Sequence, residues 1–143
     1  MGLRRQARER ALQALFQHDV LKRQSGQPPV EPPPTEPSSE AGPFVEQLVQ
    51  GVLNHQAELD AILQRCAEHW SVDRMAVVDR NVLRCALYEL LYLEEIPAKV
   101  TINEAIEIAK RYGSEESGAF VNGILDRIVK SDERLQSKRL ATA

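Results

Sequence analysis

The stretch that most limits how this chain can fold is "DRNVLRCALYELLYLEEIP". Val82, Leu83, Ala86, Leu87, Leu90 and Leu91 fall at i, i+1, i+4, i+5, i+8 and i+9, a spacing that gathers them on one broad side of an α-helix. A stripe this wide needs several covering elements, so the segment reads as the central, most buried helix of a bundle. Asp79 suits its N-cap. Pro97 closes the segment, because the residue before a proline resists helical geometry.

The same period runs through the rest of the chain. Leu12, Leu15 and Phe16, extended by Ala7, Ala11 and Val20, predict a first helix over 3–22. Phe44, Val45, Leu48, Val49 and Val52 form a second stripe, with Pro43 suited to a first helical position. A break is expected near Asn54–Gln56. Leu59, Ile62, Leu63 and Cys66 then predict a further helix to Trp70, followed by a short one around 72–77. In "TINEAIEIAKRYG", Thr101 and Glu104 have capping-box spacing, Ile102, Ala105, Ile106 and Ala109 face inward, and Gly113 suits a left-handed helix end. Ser114 can cap the last helix, with Glu115 and Glu116 in its first turn near the positive end of the dipole. Phe120, Val121, Ile124, Leu125 and Ile128 form its apolar face. The polar tail after Lys130 reads as frayed. No strand pattern survives, so the expected fold is all-α, a bundle of six to seven helices in one domain over 1–143.

One segment departs from this. Residues 25–43, "SGQPPVEPPPTEPSSEAGP", hold seven of the eight prolines and no basic residue. Such a composition cannot bury enough apolar surface to offset its ordering entropy, and the segment reads as a disordered, partly polyproline-II linker.

Charge divides the chain more sharply than hydrophobicity does. Residues 1–23 carry six basic side chains (Arg4, Arg5, Arg8, Arg10, Lys22, Arg23) and two acidic ones (Glu9, Asp19). That is +4 in a chain of net charge −3, which leaves −7 on the other 120 residues. Such asymmetry points to a local polyanion site rather than general nucleic-acid coating. Cations at a helix N-terminus oppose its dipole, so the placement costs stability. A solvated face and a binding site both remain open from charge pattern alone.

Signs of chemistry are weak. There is no glycine-rich phosphate loop, no H-E-x-x-H and no G-x-S-x-G. His18, His55 and His69 lack metal spacing and read as surface or boundary side chains. Cys66 and Cys85 sit among apolar residues without a C-x-x-C and read as free thiols. The carboxylates of "YLEEIP" and "GSEES" are explained by helix ends. No catalytic residue, metal or cofactor is expected. No apolar run approaches the roughly 18 residues of a membrane span, and no apolar leader opens the chain, so a cytoplasmic protein is expected.

Three blocks carry a resemblance. "VTINEAIEIAKRYGSEESGAFVNGILDRI" resembles the C-terminal signature of the NusB family of bacterial antitermination factors. "DRNVLRCALYELL" is similar to the helix that precedes it, and "RRQARERALQALFQHD" to the family's arginine-rich first helix. The blocks occur in the family's order, from Arg4 to Ile128, on both sides of residues 24–43. The resemblance implies a non-enzymatic, all-helical protein. It would bind the single-stranded boxA element of nascent RNA together with the small-subunit ribosomal protein NusE, as part of an RNA polymerase antitermination complex that supports ribosomal RNA transcription. On this reading Arg4, Arg5 and Arg8 contact RNA phosphates, with Arg10 assisting, since arginine forks match phosphate oxygens and stack on bases.

Arg80 matches a commonly basic family position beside that surface, and Asn122 in "FVNG" matches the family's asparagine near it. The Asn122 amide can read a base edge or hold helix packing through a backbone bond, and the sequence leaves both open. Asp79, Glu115 and Glu116 are the candidates for an acidic surface that receives the basic ribosomal partner. Two departures stand out: Ala119 occupies a position where the family often has lysine, and Phe16 one where a hydroxylated aromatic is common. Some ribosomal RNA cytosine methyltransferases carry a similar domain, but a chain ending at Ala143 is not expected to hold their catalytic part. The alternative from a different class is a self-associating structural helical protein without RNA binding. A homodimer that covers the RNA surface also fits the family.

Overall fold

Every residue from Asp79 to Leu90 is buried, and this single helix organises the molecule. In the structure, a computed structural model that describes residues 2–25, 42–67 and 71–138, five α-helices and two 3₁₀ turns follow one another. They are α1 (Leu3–Ser25), α2 (Gly42–Cys66), a 3₁₀ turn at Val72–Arg74, α3 (Val77–Tyr92), α4 (Ala98–Tyr112), α5 (Ser117–Ser131) and a 3₁₀ turn at Glu133–Leu135. The central helix α3 packs against α1, α2, α4 and α5. The described residues contain no strand, and none of their helices is long and apolar enough to cross a membrane. The 3.6-residue period therefore translates into an all-α bundle. Of the expected linker, Ser25 ends α1 and Gly42 and Pro43 open α2, while residues 26–41 lie outside the described residues.

A helix buried on all sides cannot bury only apolar atoms, because α3 also carries Asp79, Arg80, Asn81, Arg84 and Glu89. Buried charges need partners, and these tie α3 to its neighbours. Arg80 donates Nη2 to Asp19 of α1 at 2.8 Å and Nε to its other oxygen at 2.5 Å, while Asn81 donates to Asp19 at 2.9 Å. Arg84 bridges Asp19 of α1 and Asp60 of α2, at 3.2 and 2.7 Å. Glu89 accepts both forks of Arg8 from α1, at 2.8 and 2.9 Å, and the hydroxyl of Thr101 from α4 at 3.2 Å. Between these staples lie Leu83, Leu87 and Leu90, packed with Leu48, Leu63 and Leu125 in one apolar core.

The structure differs from the sequence expectation at several helix ends. Asp79 is not the N-cap of α3: Ala76 holds that place and the helix starts at Val77, which puts Asp79 in the first turn. Thr101 does not cap α4, which begins at Ala98 after Pro97. Its hydroxyl instead answers the buried Glu89, a stronger demand than a solvated helix start. Gly113 is extended (φ −102°, ψ −154°), not left-handed. Glycine is required there by space, since a Cβ would meet Ser117 Oγ at 2.3 Å and the Ala109 carbonyl oxygen at 2.8 Å. Ser114 does not cap α5; its N–H donates to Ser117 Oγ at 2.9 Å, and Glu115 and Glu116 occupy the turn before Ser117 rather than the first helical turn.

No break interrupts α2 near Asn54–Gln56. Val52 and Leu59 are seven residues apart, two turns on the same face, and both are buried, so the polar residues between them only mark the outer side. The short helix expected around 72–77 is a 3₁₀ turn at Val72–Arg74.

The tail after Lys130, expected to fray, is docked from Ser131 to Lys138; residues 139–143 lie outside the described residues. Asp132 accepts the N–H of Arg134 at 2.9 Å, which turns the chain so that Leu135 enters the core at 1% exposure. Lys138 is buried and donates Nζ to the carbonyls of Glu89 and Leu93, at 3.0 and 2.9 Å. It thereby satisfies the last carbonyls of α3.

Two outcomes follow for stability. Leu135→Ala should cost about 2–5 kcal/mol in urea unfolding; a loss within about 0.5 kcal/mol, the ordinary range for a surface change, would mean that the tail contributes no core. Burial alone would raise the Asp19 carboxyl, but hydrogen bonds from Arg80 and Asn81 and the charges of Arg80 and Arg84 hold it at about 2. A carboxyl depressed in the folded state stabilises above its unfolded pKa, and the stability is lost as pH falls through the folded one. Asp19 should therefore contribute about 2–3 kcal/mol at neutral pH, lost between about pH 5 and pH 2. Asp19→Asn should flatten the stability–pH curve across that window; an unchanged slope would contradict the assignment.

Candidate nucleic-acid interface

The arginine-rich segment folds as the first two turns of α1, and helical geometry separates its side chains. Ala7, Ala11, Leu12, Ala14 and Leu15 face the core, which turns the four arginines in different directions. Arg4 is exposed, with its guanidinium 5.1 Å from the ring centre of Phe44 on α2. Arg5 is half-buried and paired with Glu104 of α4. Arg10 is exposed on the flank that meets the end of α4.

Arg8 and Arg80, expected on an RNA surface, are instead interior. Arg8 is 5% exposed and held by both oxygens of Glu89, with Glu104 at 3.9 Å. Burial works against its charge, but the Glu89 hydrogen bond and the two carboxylates outweigh it and hold the guanidinium protonated above its usual pKa. Arg80 is 1% exposed and spends its donors on Asp19 and on the carbonyls of Asp73 and Met75. A charged pair at i, i+4 on a helix reads the same in sequence whether it faces water or a buried carboxylate. The signal that could have separated them is Glu89, a lone carboxylate amid the apolar stripe of α3.

On α5, Asn122 is exposed rather than packed, and Ala119 is exposed on the same face one turn earlier. The acidic candidates divide in two. Asp79 and Glu116 line one open cavity of about 360 Å³ together with Arg74, Met75, Ala76, Ser114 and Phe120, whereas Glu115 is exposed in the adjoining turn. Asp79 is buried, and its Oδ1 has no hydrogen-bond partner among the described residues.

Sequence reading missed the flank of α1 beyond the arginines. Glu9 is nearly buried and accepts the hydroxyl of Tyr112, and Arg111 lies 3.3 Å from it with its guanidinium over the Tyr112 ring. Tyr112, an aromatic just before Gly113, was the available sign. The cysteines are free. Burial above all, and then Glu89, pushes the Cys85 thiol up to about 12, which leaves it unreactive.

Comparison with known proteins adds to this geometry. The model of the NusB family matches residues 5–130. The chain is 50% identical over 138 residues to the transcription antitermination protein NusB of Desulfitobacterium hafniense, covering 94% of this chain and 93% of that protein. Among solved structures it resembles T. maritima NusB with a TM-score of 0.80 at 40% identity, over 96% of each chain. It also resembles the crystal structure of the antitermination factors NusB and NusE in complex with double-stranded RNA, with a TM-score of 0.72 at 25% identity over 90% of this chain and 97% of that one. Sequence, fold and matched length agree: the chain belongs to the NusB family.

Proposed function

We propose that this protein is a transcription antitermination factor that binds single-stranded boxA-type RNA together with NusE, and supports ribosomal RNA transcription within an RNA polymerase complex in the cytoplasm. The observation that carries the reading is the likeness, over 90% of the chain, to a NusB solved with NusE and double-stranded RNA, and the single-stranded preference is what the sequence resemblance implies. The geometry supports it in two places. Arg4 and Arg10 are exposed at one helix end beside the half-buried Arg5, with Asn122 exposed on α5. The cavity lined by Asp79 and Glu116 offers an acidic seat, suited to a basic ribosomal protein. Arg8 and Arg80 act beneath the surface as positioning residues.

The division of labour is measurable by fluorescence anisotropy. For a single strand, each phosphate neutralised contributes roughly −0.7 to the slope of log K against log salt. Arg4→Ala and Arg5→Ala should each reduce that slope by about 0.7 and weaken binding to all single strands alike. Arg8→Ala should instead lower stability by about 3–5 kcal/mol, because it leaves Glu89 buried without its partner. Asn122→Ala should keep the salt slope and lose discrimination between boxA-type and scrambled RNA. With Ala119 in place of a common lysine, RNA alone should bind weakly and tighten when NusE joins. Unchanged affinity and slope in the Arg4→Ala, Arg5→Ala double variant would remove the arginines from the interface. Glu116→Lys should slow association with NusE while leaving the helices intact; unchanged kinetics in that variant and in Asp79→Asn would move the docking surface elsewhere.

A further inference from the structure

The flank of α1 that faces the end of α4 is built unlike the rest of the surface. Gln6, Glu9, Arg10 and Gln13 recur at i, i+3, i+4 and i+7 along α1, and with Arg111 and Tyr112 they line an open groove of about 280 Å³. The groove carries two guanidinium groups, two primary amides and one aromatic ring. Its single carboxylate is already committed, since Glu9 is only 9% exposed and accepts the Tyr112 hydroxyl while pairing with Arg111. Glu9 thus fixes the ring in place. The Arg111 guanidinium lies 5.5 Å from the ring centre, yet Tyr112 remains 38% exposed.

Each component suits one part of a nucleotide. Single-stranded nucleic acid is held by aromatic faces that stack bases and by cations along the backbone. Primary amides both donate and accept, as base edges require. The groove also lies on the same helix as Arg4 and Arg5, about one turn further along.

We propose that this groove is a nucleotide subsite, in which one base of a single-stranded RNA stacks on Tyr112, its phosphate pairs with Arg10, and Gln6 and Gln13 meet the base edge. The inference rests on the RNA-binding reading above and extends it from phosphate contact to a built pocket for a base. Tyr112 and Arg10 touch the RNA; Glu9 and Arg111 position the ring.

The test measures binding of a boxA-type RNA oligonucleotide by anisotropy, with circular dichroism as a check on folding. Tyr112→Leu should weaken binding roughly 5- to 150-fold, the range for loss of a base–aromatic stack. Tyr112→Phe, which keeps the ring and loses only the Glu9 hydrogen bond, should stay within about threefold of the parent. Arg10→Ala should lower the salt slope by about 0.7. A series of RNAs with one abasic nucleotide moved along the strand should contain one member that binds the parent weakly and loses nothing further in Tyr112→Leu, because the stack is already gone. Should Tyr112→Leu and Arg10→Ala both bind within about twofold of the parent while Arg4→Ala is impaired, the groove proposal is overturned and the RNA reading stands. A parent chain that binds no boxA-type RNA, alone or with NusE, overturns both.

Discussion

The paired buried charges on α3 are the constraint from which the rest of the molecule follows. A helix surrounded on all sides would be simplest to build from apolar residues, yet α3 carries two arginines and a glutamate in its buried span, each answered by another element. Ion pairs of this kind contribute little net stability relative to well-packed apolar residues, but removing one partner is expensive because the other charge remains in the interior. Their consequence is therefore directional. Glu89 admits Arg8 at one rotation and height of α1, and Asp19 meets Arg80, Asn81 and Arg84 at another point about three turns along. Two fixed points on one helix leave α1 no freedom to slide or roll.

This locking gives the surface its chemistry. With Arg8 held inward, the helical twist sets Arg4 over Phe44, Arg5 against Glu104 and Arg10 on the flank toward Tyr112. An arginine-rich helix end is otherwise a poor specificity device, because long cationic side chains reach any phosphate nearby. Here one member of the cluster gives up contact with solvent to orient the others. Glu104 adds a second level of control: its pairing with Arg5 means that any anion approaching Arg5 competes with an internal carboxylate.

Much of this was legible in sequence, and the limits have physical reasons. The stripe from Val82 to Leu91 and the inner face of α5 were readable because period and burial coincide there, whereas on α4 Ile108, not the expected Ile106, joins Ala105 and Ala109 in the core. The helix ends were less so. Thr101 and Asp79 have the chemistry of caps, but a buried Glu89 took the Thr101 hydroxyl and the helix had already begun at Val77. Gly113 serves close approach to Ser117 rather than a left-handed turn, and spacing does not distinguish the two. The docking of residues 131–138 was hidden because only Leu135 is apolar among them, and Lys138 carries its charge into carbonyls at the end of α3. Charge counting could not tell the buried Arg8 and Arg80 from accessible arginines such as Arg4 and Arg10. That distinction depends on carboxylates distant in sequence, 81 positions away for Arg8 and 61 for Arg80.

The central claim is that α1 divides its arginines between an interior anchor and an RNA surface. The most direct measurement is nuclear magnetic resonance of the arginine Nε–H groups while single-stranded boxA-type RNA is titrated into the protein. The signals of Arg4, Arg5 and Arg10 should move with added RNA and saturate together. Those of Arg8 and Arg80 should stay in place, protected from solvent exchange before and after binding. A shift of Arg8 or Arg80 as large as that of Arg4, or a titration in which none of the three surface arginines moves, would contradict the account.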